Sequence, residues 1–143
     1  MTTINPYLNF RGTTEEAFNF YVSVFGGKVL NIQRYKDTPE AGQVPAADAD
    51  KIMHMAISIG KDNMLMGTDA LESQGRPFTA GNNFYLSVST DTEEETEKIF
   101  NGLSAGGKVT MPLQKTFWGA YFGMFDDRFG IQWMMNYDSA PQK

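Results

Sequence analysis

The sequence predicts an α+β fold in which one β-α-β-β-β module occurs twice. The first observation is an internal repeat: NPYLNF, starting at Asn5, resembles NFYLSV, starting at Asn83, at an offset of 78 residues. The second is that each copy precedes a helix-start pattern and then the same four residues, Gly-Gly-Lys-Val. Such repetition indicates one supersecondary unit built twice. We expect one domain over residues 1–143, with repeats over about 4–69 and 82–137.

Both copies of the repeat alternate between apolar and polar residues with a period of two. This pattern is typical of a strand with unlike faces, and it predicts the first strand of each module. The apolar positions, which we expect to face a core, are Leu8, Phe10, Phe84, Leu86 and Val88. The polar positions, which we expect to face elsewhere, are Asn5, Tyr7, Asn9, Asn83, Tyr85 and Ser87.

A helix-start pattern follows each predicted strand. Thr13 with Glu16 has the spacing of a capping box, and Thr92 with Glu95 repeats it. The glutamates could instead form an acidic or metal-binding patch, but capping and solvation are the favoured interpretation. Apolar residues then recur at helical spacing, and the predicted buried positions are Ala17, Phe20, Tyr21 and Val24 in the first helix and Ile99, Phe100 and Leu103 in the second.

Each helix pattern ends at a glycine pair, Gly26-Gly27 or Gly106-Gly107. A glycine suits the left-handed position that closes a helix, so we interpret these pairs as helix terminators rather than phosphate-binding loops. The strands predicted after the helices are 29–35, 52–59 and 64–68 in the first half and 109–113, 117–125 and 131–136 in the second. If each sheet has a helix on one face, the other faces would border a shared concavity.

Composition narrows the class of function. The chain has 12 Lys+Arg against 17 Asp+Glu, a net charge of −5 and no basic cluster, so a nucleic-acid partner is disfavoured. It has no cysteine, which excludes disulfides, thiolate nucleophiles and cysteine-ligated metal sites and suits a reducing compartment. We find no apolar run of membrane-spanning length and no signal-peptide pattern in the first ten residues. We therefore expect a cytoplasmic protein without a membrane partner.

Three segments together resemble one known superfamily. They are PYLNF-RG-x3-EAFNFY-x2-VFGGKV near the start, IMHMAISIG with DNMLMGTD in the middle, and FWGAYFGMFDDRFGIQWMMN at the end. Over nearly the whole chain they resemble the PhnB-like branch of the vicinal oxygen chelate superfamily, which includes glyoxalase I, extradiol dioxygenases and bleomycin-resistance proteins. This glyoxalase-like resemblance implies paired β-α-β-β-β modules, a curled mixed sheet around a shared pocket, and commonly a homodimer.

The resemblance also points to a metal site that this chain lacks. Metalloenzymes of the superfamily hold a divalent ion with His and Glu on the first and last strands of each module. The matching positions here are Asn5, Met66, Asn83 and Met134. Because amides and thioethers are poor ligands for Zn²⁺, Mg²⁺ or Fe²⁺, we expect no metal and no other cofactor. Some relatives carry a methyltransferase label, but no glycine-rich turn for a nucleotide-type methyl donor is present.

In place of the metal site we predict an apolar, aromatic pocket. Aromatic faces would supply contact area, while polar side chains would orient a small molecule through hydrogen bonds. The predicted ligand-binding residues are Asn5, Tyr7, Asn9, Asn83, Tyr85, Trp118, Phe122, Trp133 and Met134. For each aromatic residue the alternative is a place in a core or a dimer interface.

The catalytic candidates are His54, the only histidine, and Asp69. A two-residue turn at Lys61-Asp62 would place them opposite each other on neighbouring strands, within reach of a charge-assisted hydrogen bond. They could form an acid–base dyad, but a structural pair at the sheet edge is the favoured interpretation. Because side chains alternate along a strand, a slip of one residue would move His54 to the other face.

Several classes of function stay open. The favoured one is a metal-independent protein that binds a small hydrophobic or aromatic molecule. The alternative is a superfamily enzyme of the lyase, isomerase, dioxygenase or transferase kind, and the third class is a purely structural partner. We also expect a homodimer, because 11 Phe, 6 Tyr and 2 Trp are more aromatic surface than one small core readily hides.

Overall fold

The computed structural model describes residues 1–39, 41–60 and 62–138, and it confirms the predicted α+β fold. The chain divides into two compact units, Met1–Thr79 and Ala80–Lys143. Each unit contains one helix and one four-stranded mixed sheet. Neither of the two α-helices within the described residues has the length and apolar character needed to cross a membrane. The single domain and the shared pocket stay predictions.

The first unit contains β1 (Tyr7–Phe10), α1 (Thr14–Phe25), β2 (Lys28–Arg34), β3 (Ile52–Ile59) and β4 (Asn63–Asp69). The strand order is β1-β4-β3-β2, in which β1 is parallel to β4 and the other pairs are antiparallel. The connection between β2 and β3, predicted as a loop, contains three short 3-10 helical turns among its described residues.

The second unit contains β5 (Leu86–Ser89), α2 (Glu93–Ser104), β6 (Lys108–Lys115), β7 (Ala120–Asp126) and β8 (Gln132–Asp138). Its strand order, β5-β8-β7-β6, repeats that of the first unit, again with one parallel pair at the edge. The two units therefore share one topology, as the internal repeat predicted.

Each helix packs against its sheet where a strand carries a glycine. A Cβ at Gly67 would lie 2.7 Å from the ring of Phe18 in α1, and a Cβ at Gly123 would lie 2.8 Å from the ring of Phe100 in α2. The residues of α1 that are buried are Thr14, Ala17, Phe18 and Tyr21. The prediction for α1 was therefore partly wrong, because it chose Phe20 and Val24, which are half-buried, and missed Phe18. The prediction for α2 is confirmed.

The glycine prediction is confirmed for α1, which Gly26 closes with φ at 75°. In α2 the C-cap is Ala105, with φ at −59°, and Gly106, with φ at 78°, belongs to the turn that follows. The second glycine of each pair has another role, because the chain passes very close to a neighbouring strand there. A Cβ at Gly27 would overlap the carbonyl oxygen of Ser58, and one at Gly107 would overlap that of Asp126. Glycine is needed at both positions.

The two helices begin differently, although their sequences start alike. In α2, the Thr92 side chain accepts a hydrogen bond from the Glu95 backbone N–H at 3.0 Å, as predicted. In α1, Thr13 makes no such bond. Asp69 of β4 takes its place, because its Oδ1 accepts bonds from the Thr14 backbone N–H at 3.1 Å and from Thr14 Oγ1 at 2.6 Å.

Two aromatic predictions for the second unit are wrong. Phe84 was predicted to face the core, but it is 58% exposed and precedes β5. Trp118 was predicted to lie in a strand, but it lies in a turn that precedes β7 and is 60% exposed. Hydrogen bonds between Thr116 and Ala120 close this turn, so the chain cannot extend into a strand before Ala120.

Candidate functional site

Each sheet has one face toward its helix and one face away from it, which we call the helix-free face. Gly67 in β4 and Gly123 in β7 mark the helix side, because a Cβ at either position would meet a phenylalanine of the helix. Side chains alternate along a strand, so their immediate neighbours lie on the helix-free face. The cross-strand register then shows which residues of the other strands lie on the helix-free face.

The helix-free face of the first unit is largely polar. Tyr7 pairs with Met66, which pairs with Ala56, while Asn9 pairs with Thr68. The residues on this face include Tyr7, Asn9, His54, Ala56, Ser58, Met64, Met66 and Thr68. Three of the predicted functional residues, Tyr7, Asn9 and His54, are thus brought together.

Tyr7 and His54 form a direct pair on this face. The distance between Tyr7 Oη and His54 Nδ1 is 3.2 Å, and the ring centroids are 5.7 Å apart. Partial burial raises the pKa of Tyr7, the positive charge of Arg76 opposes this rise, and Tyr35 adds to it. The phenol therefore stays protonated near neutral pH. Either Tyr7 donates to Nδ1, or Nδ1–H donates to Tyr7, depending on the tautomer of His54.

Arg76 is a site residue that the sequence analysis missed. Its Nη2 donates to Oδ1 of Asn9 at 3.4 Å, so its guanidinium lies beside β1. Gly75, with φ at 71°, ends a short 3-10 turn just before it. The connection between the two repeats gave no periodic signal, and only a lone arginine among its polar residues hinted at a binding role.

The predicted pairing of His54 with Asp69 is wrong. Asp69 is 2% exposed. Its Oδ1 accepts bonds from Thr14 and its Oδ2 accepts one from the Ile52 backbone N–H at 2.8 Å. Asp69 therefore joins α1, β3 and β4 on the opposite side of the sheet from His54.

The turn between β3 and β4 explains this error. Ile59 pairs with Asn63, so residues 60–62 form a three-residue connection rather than the predicted two-residue turn. Lys61 itself lies outside the described residues. One extra turn residue shifts the register by one position, and this shift moves His54 to the face opposite Asp69.

The helix-free face of the second unit carries a row of methionines. Met111 pairs with Met124, and Met124 pairs with Met134, so the row crosses β6, β7 and β8, and Ser87 of β5 lies next to Met134. All three methionines are half-buried. Phe122 lies on the same face, two residues from Met124. We call Met111, Met124 and Met134 the methionine row.

Trp133 does not share this face, although it was predicted to line a pocket with Met134. It is 1% exposed, and its indole Nε1 donates to Asp127 Oδ2 at 2.8 Å. Oδ1 of Asp127 accepts bonds from the backbone N–H groups of Phe129 and Ile131. Trp133 and Met134 are adjacent in one strand, so their side chains point to opposite faces. Trp133 is a core residue.

The remaining predicted ligand residues are either exposed or half-buried. Asn5 and Asn83 are exposed and precede β1 and β5, and Tyr85 is half-buried just before β5. Trp118 lies in its exposed turn, whereas Phe122 is half-buried on the helix-free face. Their role in binding a ligand stays a prediction.

The superfamily's divalent-metal site does not fit these residues. Met66 and Met134, at the expected positions on the last strands, supply thioethers, which are poor partners for hard cations. Within residues 1–39, 41–60 and 62–138, no group of three or more His, Cys, Asp or Glu could hold a metal ion.

Relatives of this chain support the resemblance. The model of the family described as 3-demethylubiquinone-9 3-methyltransferase matches residues 2–136. Protein YjdN of Escherichia coli (strain K12) is 30% identical over 141 residues, which cover 93% of both proteins. Protein PA1353 from Pseudomonas aeruginosa has a crystal structure with a TM-score of 0.85 and 39% identity, covering 96% of this chain and 98% of that one.

Further solved structures extend the likeness. A PhnB protein from Bacillus cereus has a TM-score of 0.78 and 28% identity, covering 95% of this chain and 99% of that one. Structures of glyoxalase/bleomycin resistance protein/dioxygenase proteins share the fold at lower identity. The chain therefore belongs to the family described as 3-demethylubiquinone-9 3-methyltransferase, which agrees with its resemblance to the PhnB-like branch of the vicinal oxygen chelate superfamily.

Proposed function

We propose that the protein binds small aromatic or hydrophobic molecules on the helix-free face of each sheet, without a hard divalent metal ion. The methionine row carries this proposal. Half-buried thioethers are flexible and polarizable, so they adapt to planar apolar ligands and make favourable contacts with aromatic rings. Phe122 adds an aromatic surface beside them. On the separate helix-free face of the first unit, Tyr7 and Asn9 offer hydrogen-bonding groups of the kind that orient a molecule bound there.

The chemistry of the side chains supports the proposed metal independence. Zn²⁺ and Mg²⁺ prefer imidazole, carboxylate and water, whereas Met66 and Met134 offer only thioethers. His54 has its Nδ1 in a hydrogen bond with Tyr7, which leaves one ring nitrogen for any other partner. A methyl-transfer role has less support, because the β1–α1 connection contains one glycine and the β5–α2 connection contains none.

The test is calorimetric titration of EDTA-treated protein with 2-naphthol, a neutral aromatic probe. We expect saturable binding that added Zn²⁺ or Mg²⁺ does not strengthen. Met134→Gln should weaken binding about fivefold or more, because a buried amide without a partner is costly. Val109→Gln, an apolar-to-amide change at a position on β6 that is 43% exposed, is the matched control and should change little. Binding that requires a divalent ion would overturn the proposal.

A second candidate function is favoured by one observation, the hydrogen bond between Tyr7 and His54. Such a pair could exchange a proton with a bound carbonyl compound, with His54 accepting a proton from carbon and Tyr7 hydrogen-bonding the carbonyl oxygen. An enzyme of this kind would belong to the superfamily's isomerase or lyase classes.

Deuterium exchange tests this candidate. Acetophenone in D₂O should lose its methyl proton signal faster with the wild-type protein than with His54→Gln or Tyr7→Phe, as followed by proton NMR. Equal rates for the wild type and both variants would leave only the binding role.

The proposal includes a homodimer in the cytoplasm. Val29, Leu30 and Ile32 lie on β2, an edge strand, and are 41%, 48% and 39% exposed. An exposed apolar edge is a ready site for pairing with another chain. Light scattering should therefore give twice the 16.0 kDa chain mass, and Leu30→Glu should reduce it to that of one chain. A single-chain mass for the wild type at micromolar concentration would contradict the dimer.

A further inference from the structure

We infer that the ligand carries an oxyanion, either a carboxylate or a phosphate-type group, which Arg76 binds beside Tyr7 on the first unit's helix-free face. This inference rests on the proposed function, because it names the ligand class for that function. Its basis is a cation without an acidic partner, held next to neutral hydrogen-bond donors.

Arg76 differs from Arg11, which contacts the same segment at Phe78. Arg11 forms an ion pair with Glu72, with 3.6 Å between Nη2 and Oε1. Among the described residues, Arg76 has no such carboxylate partner, and its side chain donates to the neutral Asn9. A guanidinium has five N–H donors, so several stay available to a ligand. In a chain with net charge −5, an unpaired cation on a candidate site is informative.

The segment that carries Arg76 is fixed against the end of β1. The backbone N–H of Arg76 donates to the carbonyl oxygen of Leu71 at 3.2 Å. Phe78, two residues after Arg76, is held by Arg11. Nη2 of Arg11 donates to the carbonyl oxygen of Phe78 at 3.3 Å, and the Arg11 guanidinium carbon lies 5.3 Å from the centroid of the Phe78 ring. These contacts fix the backbone at Arg76, and the bond to Asn9 holds the exposed Arg76 guanidinium beside β1.

The surrounding groups suit an anion better than a cation. None of the residues assigned above to this face is acidic, and Asp69 has both oxygens engaged on the opposite side of the sheet. Asn9 accepts from Arg76 through Oδ1, which leaves its amide NH₂ as a donor. Tyr7 supplies a hydroxyl that stays protonated. Guanidinium groups pair with carboxylate and phosphate in a bidentate manner, so an oxyanion satisfies this set of donors.

Calorimetric titration with three probes of similar shape tests the inference. Phenyl phosphate and benzoate carry the two kinds of oxyanion, and benzamide is the neutral reference. We expect at least one anion to bind about tenfold more tightly than benzamide. The anion that binds more tightly shows whether the site prefers a carboxylate or a phosphate-type group. Equal affinity of benzamide and both anions would overturn the inference and leave the proposed binding of aromatic molecules intact.

Substitutions separate the anion site from the rest of the face. Arg76→Gln should remove the preference for the anion while benzamide binding stays within about twofold, and Arg76→Lys should retain part of it. Arg128→Gln, the same loss of charge on an exposed turn of the second unit, should leave all affinities unchanged. An anion preference that survives Arg76→Gln would overturn the inference. If 2-naphthol and benzamide fail to bind while phenyl phosphate binds through Arg76, the proposed function fails and the anion site stands.

A titration of Tyr7 gives a readout independent of any ligand. Burial raises the pKa of Tyr7, and the positive charge of Arg76 lowers it. Arg76→Gln should therefore raise the pKa of Tyr7 further, as followed by NMR of ring-labelled tyrosine, whereas Arg128→Gln should not. An unchanged Tyr7 pKa in Arg76→Gln would show that the cation lies too far away to share a ligand with Tyr7.

Discussion

The two units share a topology but differ in what their helix-free faces offer. In both units a glycine lets the chain pass close to a neighbouring strand, Gly27 against Ser58 and Gly107 against Asp126. The faces have diverged: the first presents Tyr7, His54 and other polar groups, and the second presents the methionine row.

This difference separates the residues that build the fold from those that vary for function. Backbone contacts at the glycines are set by geometry, so both units need them. A half-buried face carries no such constraint, so its chemistry can change while the sheet remains. The predictions below test the shared features first and then the points where the units differ.

The largest effect is expected from the shared close approaches. Gly27→Ala and Gly107→Ala should each lower the free energy of unfolding by about 3 kcal/mol or more, because the new Cβ would overlap a backbone oxygen. Gly42→Ala and Gly81→Ala are matched controls, since nothing lies within 4 Å of either position. Urea unfolding measures all four variants. If Gly27→Ala unfolds like Gly42→Ala, the two strands do not approach this closely.

Buried aspartates should give the next largest effect. Asp69→Ala should cost about 2 to 3 kcal/mol of unfolding free energy, because it leaves the backbone N–H groups of Thr14 and Ile52 buried without acceptors. Asp127→Ala should cost a similar amount, because it leaves the buried indole N–H of Trp133 without an acceptor, as well as the N–H groups of Phe129 and Ile131. The exposed Asp138→Ala should be near neutral, and an equal cost for Asp69→Ala and Asp138→Ala would contradict the capping role of Asp69.

The helix starts provide a smaller contrast. Thr92→Ala should cost about 1 kcal/mol, because the Thr92 side chain accepts the Glu95 N–H. Thr13→Ala should change stability by less than about 0.5 kcal/mol, because Asp69 caps α1 in its place. Thermal unfolding of the two variants side by side measures the contrast. Equal losses would show that the two helices are capped alike.

The smallest effect is expected from pH and the pair of Glu15 and Arg34. Two hydrogen bonds from Arg34, at 3.0 and 2.7 Å, hold the pKa of Glu15 below its ordinary value of 4.5. The pair should thus add stability above pH 4.5 and lose it as pH falls through the lowered pKa. Because both groups are partly exposed, Glu15→Gln should cost only about 0.5 kcal/mol at pH 7.

Unfolding in urea at pH 7 and at about pH 3 checks this sign. The difference between wild type and Glu15→Gln should shrink at the lower pH. The counterpart in the second unit, Lys115 with Glu93, has one contact at 2.9 Å and should contribute less. A difference that grows as pH falls would contradict the stated cause.

The sequence predicted those features whose causes lie close together in the chain. The cap of α2 depends on Thr92 and Glu95, three residues apart, and it is confirmed. The cap of α1 comes from Asp69, 55 residues from Thr14, so no local pattern could reveal it. The strands and the glycine terminator of α1 were predictable because alternation and turn chemistry are local.

The candidate site was less predictable, because it depends on register and on distant partners. One extra turn residue moved His54 away from Asp69 and toward Tyr7, and no sequence pattern specifies that turn. Arg76 reaches Asn9 across 67 residues. Trp133 was predicted to line the pocket because it is next to Met134, but it is buried and its indole N–H donates to Asp127, so it lies in the core.

A methyl NMR titration tests most directly whether the helix-free faces bind a ligand without a metal ion. Protein labelled with ¹³C at the methyl groups of its nine methionines would be titrated with 2-naphthol in the presence of EDTA. We predict that the signals of Met111, Met124 and Met134 shift together and saturate, while that of Met1 stays in place. Unchanged signals, or shifts that occur only after a divalent ion is added, would contradict the account.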